Sequence, residues 1–331
     1  MLMTVKETAN KIKEGKNLFL AGDETLLRQL SKGQWIGGTI PYFMTTDKGG
    51  LENSTTHIFA YEAPDIVEET KIISYNKDNL QNIPADAFDN GFSLIIIPAI
   101  SQTHFNYAQN SPTYKGIFFK PIIGWISGVH VKNIGNMTAE KITAKVFNGE
   151  TAKSTDQDAI VMHLSLPIEK VAEIKILNIF KQGYGDHITF DKEGFKVKDC
   201  YINGKKQNFS RYLSEQKVDN KLPLVADYYG TRVNVGLQYI DEDANVHFYG
   251  PIFKHVTYKI AAPVSNYVTK FQKILPKAVV ATPFACNCIL NYLYGELEGK
   301  KTSSFEGPIS FGQIAYQLLN QTLVYLEIKD R

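Results

Sequence analysis

The stretch FSLIIIPA, residues 92–99, constrains the fold most. Apart from Ser93 it is apolar at every position, so both of its faces must be covered. It reads as a central strand with layers of helix or sheet above and below. The flanking sequence supplies such layers. Thr4 is placed to cap a helix that carries Val5, Ala9 and Ile12 on one face and stops at Gly15. Asp23 caps a second, with Leu26, Leu27 and Leu30 turned inward, and Ser101 caps a third over 102–110. Strand-like runs fall at 17–22, 34–40 and 159–167, the apolar run 116–131, interrupted by Pro121, Gly124 and Gly128, reads as a buried strand and turn, and 56–63 reads as pairing with 70–75. Residues 138–149 read as a helix capped by Thr138 and closed by Gly149.

The segment KQGYGDH, 181–187, marks a change of composition. Beyond it come hairpin-like strands, with turn signals at Glu193-Gly194 and Asn203-Gly204. A chain of 331 residues also exceeds what one hydrophobic core usually serves. The expected architecture is α+β: two tightly packed domains, 1–185 and 186–331, each a mixed β-sheet with flanking helices. No tandem repeat and no low-complexity tract shows in the sequence.

Charge narrows the partners. The 36 basic and 34 acidic residues leave a net charge of +2, and Lys and Arg are scattered. Nucleic acid, which wants a concentrated basic face, is not an expected partner. No apolar run approaches the ~18 residues of a membrane span, and the N-terminus lacks the apolar block of a signal peptide. Three cysteines, Cys200, Cys286 and Cys288, are an odd number, and the last two are too close in sequence to bridge one another readily. Reduced thiols and a cytoplasmic location are expected.

Candidate site residues concentrate near the end of the chain. Gln313, Gln317, Asn320 and Gln321 are primary amides between strand-like runs. Such groups donate and accept, so they can read a ligand; equally, they satisfy turns and strand ends. Cys286-Asn287-Cys288 stands where a strand enters a helix, with free N–H groups nearby. A reactive thiol is one reading, and buried structural thiols with Asn287 as a cap are the other. Gly37 and Gly38 allow close approach of a ligand backbone contact or of a packed layer. Neither a Walker A sequence nor a nucleophile elbow occurs, and the seven histidines lack metal-ligand spacing.

The run FACNCILNYLYGELEG followed by GPISFGQIAYQLLNQTLVYL resembles the C-terminal part of FIST sensor domains, and NLFLAGDETLLRQLSKGQWIGGTIPYF is similar to their N-terminal part. The resemblance implies a cytosolic small-molecule sensor in signal transduction, with a signalling protein as a partner in trans. It also implies haem as a cofactor of some members. Two positions depart from the family pattern: Gln313 replaces an acidic residue, and Ile289 replaces a basic one. The expected ligand site is a cleft where Cys286, Asn287 and Cys288 meet Gln313, Gln317, Asn320, Gly37 and Gly38. The alternatives are a Cys-dependent enzyme acting on a small metabolite and a scaffold or interaction protein.

Overall fold

A computed structural model describes residues 1–53, 55–136, 143–228, 231–275, 284–301 and 305–331. The chain begins with β1 (Leu2–Met3), α1 (Val5–Lys13), β2 (Leu18–Gly22), α2 (Glu24–Leu27) and β3 (Trp35–Thr39). A hairpin, β4 (Tyr42–Thr45) and β5 (Gly49–Glu52), and then β6 (Ile58–Glu62) complete a first unit. The same order follows at once: β7 (Thr70–Tyr75), α3 (Ile83–Asp86), β8 (Gly91–Pro98), α4 (Gln102–Asn110) and β9 (Ile122–Ser127). A second hairpin, β10 (Val146–Asn148) and β11 (Lys153–Thr155), then leads to β12 (Ala159–Ser165).

A third unit opens with β13 (Lys170–Leu177) and is then interrupted. The interruption holds β14 (Ile188–Thr189), β15 (Gly194–Val197), β16 (Asp199–Ile202), β17 (Lys205–Asn208) and α5 (Phe209–Glu215). It continues with β18 (Leu224–Tyr228), β19 (Thr231–Val235), β20 (Leu237–Ile240), β21 (Val246–Ile252) and β22 (Tyr258–Ile260). The third unit resumes with α6 (Tyr267–Ile274), β23 (Ala285–Cys288), α7 (Ile289–Tyr294) and β24 (Gly307–Ser310). It ends with a hairpin, β25 (Gln313–Ala315) and β26 (Gln317–Leu319), and the long β27 (Leu323–Asp330).

Three sheets of the body share one plan. Their strand orders are β1-β6-β2-β3-β10-β11, β7-β12-β8-β9-β25-β26 and β13-β27-β23-β24-β4-β5. Each centres on a parallel pair joined through a helix: β2 with β3, β8 with β9, β23 with β24. Each unit also lends its hairpin to another unit's sheet. The first gives β4–β5 to the third, the second gives β10–β11 to the first, and the third gives β25–β26 to the second. The arrangement is a pseudo-threefold repeat of interlocked units, which the unaided sequence reading did not find.

Register identifies the equivalent positions. Gly37 lies opposite Phe147, Gly124 opposite Ile314 and Gly307 opposite Met44. The second strand of each parallel pair thus carries glycine at one shared position. At Gly124 a Cβ would run into the carbonyl oxygen of Ile95, and at Gly307 into that of Ala285. The inner faces of the three sheets meet in a common core. At its centre Phe19, Trp125 and Phe284 contribute one ring from each unit, with centroids 4.5, 4.7 and 6.0 Å apart. The outer faces are covered by helices: Ile12, Leu26 and Leu27 over the first sheet, Tyr107 and Ala108 over the second, Phe271 over the third.

The α+β class, the mixed sheets and their flanking helices follow the sequence expectation. The central strand β8 is buried along nearly its whole length, between β9 and β12. Other expectations need correction. Runs 56–63 and 70–75 are both strands, yet β6 pairs with β1 and β2, whereas β7 pairs with β12. Residues 146–148 are a strand, because Val146, Phe147 and Asn148 complete the ladder beside β3. Thr138, the expected cap of a helix there, lies outside the described residues. Of the two turn signals, Asn203-Gly204 joins the paired β16 and β17, whereas β15 pairs with β21 and not with β14. The position 185/186 falls just inside the inserted segment, whose strands form two further sheets around a separate core. Strands from 285 onward return to sheets begun in the first 180 residues.

Candidate functional site

The chain leaves the body after β13 and comes back before α6. The two crossings run side by side: Gly183 N–H donates to the Ile260 carbonyl at 2.9 Å, and Ala262 N–H to that of Lys181 at 2.8 Å. Beside these crossings lies a cleft of about 500 Å³. That volume falls in the range typical of small-molecule sites. Phe180, Tyr184, Tyr212, Tyr267 and Tyr294 give it aromatic walls.

Local structure explains how each wall is held. Asn208 caps α5 by accepting from Arg211 N–H at 2.9 Å, and this fixes Tyr212 on the helix. The helix stops at Lys217, which adopts a left-handed φ of 49°; Val218 N–H closes the turn onto the Leu213 carbonyl at 3.0 Å. Next, Asp219 folds back to accept from Lys221 N–H at 2.9 Å. Lys217, Asp219 and Lys221 are thereby presented at the rim. Across from them Asp186 accepts from Tyr212 Oη at 3.1 Å and from Asn203 Nδ2 at 2.7 Å.

The floor comes from the third unit. Asn266 caps α6 through Thr269 N–H at 2.9 Å, which places Tyr267 in the first turn. Its ring stacks on Phe271 and leans on Phe180. The Tyr267 hydroxyl is buried and has no hydrogen-bond partner among the described residues. Burial raises the pKa of that phenol well above its ordinary value. Burial, with Asp186 second, pushes Tyr212 up to about 12. All the wall phenols with resolved shifts therefore stay protonated at neutral pH and can donate.

The sequence-predicted residues form a different feature. Asn287 Oδ1 accepts from Cys288 N–H and from Asn291 Nδ2, both at 2.8 Å. Gln313 Nε2 donates to Ser310 Oγ at 3.2 Å, and Gln313 Oε1 accepts from Thr322 Oγ1 at 3.2 Å. Cys286 Sγ lies 3.0 Å from the Gly124 carbonyl, reaching from the third sheet to the second. All of these side chains are buried. The depression beside Cys286 and Asn287 has no room for a water molecule. Gly38 packs against the second sheet, where a Cβ would come within 2.7 Å of Ile96 and 3.3 Å of Trp125 Nε1. Gly37 lies under Trp35. Trp125 stands opposite Gln313, so a buried tryptophan connects the glycine pair to the amide group.

Gln317 is half-buried opposite Ala315, and no hydrogen bond ties its side chain to this network among the described residues. Asn320 is buried over Gly250, and neither side-chain polar atom has a partner among the described residues. None of the eight predicted residues lines the cleft. Gln321 connects the two features: its Nε2 donates to the Lys221 carbonyl at 2.9 Å, on the rim.

Burial raises the pKa of the Cys286 thiol well above its usual value and also raises that of Cys288. For Cys288, nearby backbone N–H groups and the Gln313 side chain oppose the effect without overturning it. Both sulfurs are therefore held as thiols. Among the described residues no three or more His, Cys, Asp or Glu side chains are grouped to hold a metal ion. No described helix is long and apolar enough to cross a membrane.

Sequence reasoning missed the cleft residues. The one available signal was KQGYGDH, read only as a boundary: Gly183, Tyr184, Gly185 and Asp186 all line the cleft.

Fold and site together define an α+β protein of three interlocked repeats, with an inserted β unit and an aromatic cleft at its base. The chain belongs to DUF6976, a family of unknown function, whose model matches residues 3–329. No curated protein matches the chain.

Proposed function

We propose that the protein binds a small molecule in the cleft between body and insert, and that it acts as a sensor-like protein. The observation carrying this reading is the cleft itself: five aromatic side chains around about 500 Å³, beside both crossings to the inserted unit. Large aromatic area with a few polar groups is the usual composition of a small-molecule site. A ligand held there touches both connections, so its binding energy can bias how the insert sits. The resemblance of the C-terminal segment to FIST sensors supports the sensory half of the proposal by analogy. A Cys-dependent enzyme gains no support from thiols that burial keeps protonated.

The test is a thermal-shift screen with small aromatic metabolites, followed by calorimetry on the hits. A cleft ligand raises the melting temperature by mass action. The rise should vanish in Tyr294→Ala and persist in Gln313→Ala. Hits that bind Tyr294→Ala and Tyr212→Ala as tightly as the parent protein would show that the cleft is not the site.

A further inference from the structure

The cleft's charges narrow what it takes, and this step rests on the cleft being a ligand site. Two cations, Lys217 and Lys221, and two anions, Asp186 and Asp219, line the same opening. None of the four is in an ion pair among the described residues. The hydrogen bonds to Asp186 come from an amide and a phenol, and that to Asp219 from a backbone N–H. Those donors are neutral, so among the described residues no cation pairs with either carboxylate and no anion with either ammonium. An anionic ligand would meet the lysines but also the aspartates, and a cationic one the reverse. A ligand with both charges on short arms suits each pair. The aromatic walls accept a ring.

We infer that the ligand is an aromatic zwitterion of the α-amino acid class, with its carboxylate at Lys217 and Lys221 and its ammonium at Asp219.

The test is calorimetry on the full chain with L-tyrosine, L-tryptophan, tyramine, hydroxyphenylpropionate and p-cresol. The two amino acids should bind at least about ten-fold tighter than any compound lacking one or both charges, a difference of about 1.4 kcal/mol. The double variant Lys217→Gln/Lys221→Gln should erase the advantage of tyrosine over tyramine. Asp219→Asn should shrink its advantage over hydroxyphenylpropionate. These residues are at the surface, so the variants should fold. If tyramine, hydroxyphenylpropionate or p-cresol binds as tightly as tyrosine, or the charge variants change nothing, the zwitterion assignment is wrong and the cleft reading survives. If no aromatic compound binds at all, both fall.

Discussion

Lowering the pH should destabilise the protein through His163, a buried residue of β12. Its Nδ1 lies 2.8 Å from Ser93 Oγ, and its Nε2 lies 3.0 Å from Tyr75 Oη. Tyr75 donates its own proton to Asp86 at 2.9 Å. The tyrosine oxygen is therefore an acceptor toward the ring, so Nε2 carries the proton and Nδ1 accepts from Ser93. Burial first, and Lys71 second, lower the imidazole pKa from 6.5 to about 4, and Asp86 only partly opposes them. The unfolded chain takes up this proton near its ordinary value and the folded chain resists. Stability is thus full above the unfolded pKa and is lost as pH falls toward the folded one. At 1.36 kcal/mol per pKa unit, the loss between about pH 8 and about pH 5 is on the order of 2 kcal/mol for this one group. Urea unfolding of the parent protein and of His163→Gln at both pH values isolates it. The variant will be less stable throughout, but the gap between the two proteins should narrow by about 2 kcal/mol at the lower pH. A gap unchanged to within about 0.5 kcal/mol would refute the assignment of this buried, neutral ring.

Two further outcomes are expected. Gly124→Ala and Gly307→Ala each drive a methyl group into a neighbouring carbonyl and should cost about 3 kcal/mol or more. Gly37→Ala, at the equivalent position, meets nothing closer than 3.2 Å and should cost no more than about 1 kcal/mol in the same denaturant assay. Native Cys200, Cys286 and Cys288 are all buried, so iodoacetamide near neutral pH should label them at least about a hundred-fold more slowly than in the unfolded chain. Rapid labelling of one thiol in the native state would revive the enzyme reading.

Legibility in the sequence followed locality. Caps at Thr4, Asp23 and Ser101 bond to backbone two or three residues away, and such signals are local. The run of β8, apolar apart from Ser93, announced a covered strand because burial on both faces leaves no polar alternation. Register and partner choice were not local. The hairpin β25–β26 pairs with β9, almost two hundred residues upstream, and no feature of 313–319 names that partner. The repeat was hidden for a related reason. Its units agree in strand order and in Gly37, Gly124 and Gly307, but the residues around these glycines differ: Gly-Thr, Trp-Ile and Pro-Ile follow them. Packing tolerates such exchange provided volume and pattern are kept. The amides after Gly312 were legible as a polar group, but whether they face a ligand or one another depends on strands far away in sequence.

The cleft sits where the threefold plan is broken, and the break accounts for its chemistry. In the first two units the opening strand and the parallel pair are joined by short stretches, residues 4–17 and 76–90. In the third unit the same join holds the whole inserted segment. Two strands must then leave the body side by side, and they bond to each other between Gly183 and Ile260 instead of to a body sheet. Along those crossings Phe180 is buried against Val225, Ala261 and Tyr267, and Tyr184 stands exposed beside the cleft. Tyr267 and Tyr294 reach the same cleft from the helices of the third unit. The repeated positions remain structural in all three units, as the shared glycines are, while the unrepeated join gathers aromatic and charged groups around the cleft. A ligand in that join would bear on the orientation of the insert and leave the three-sheet core undisturbed, which is the mechanical requirement of a sensor.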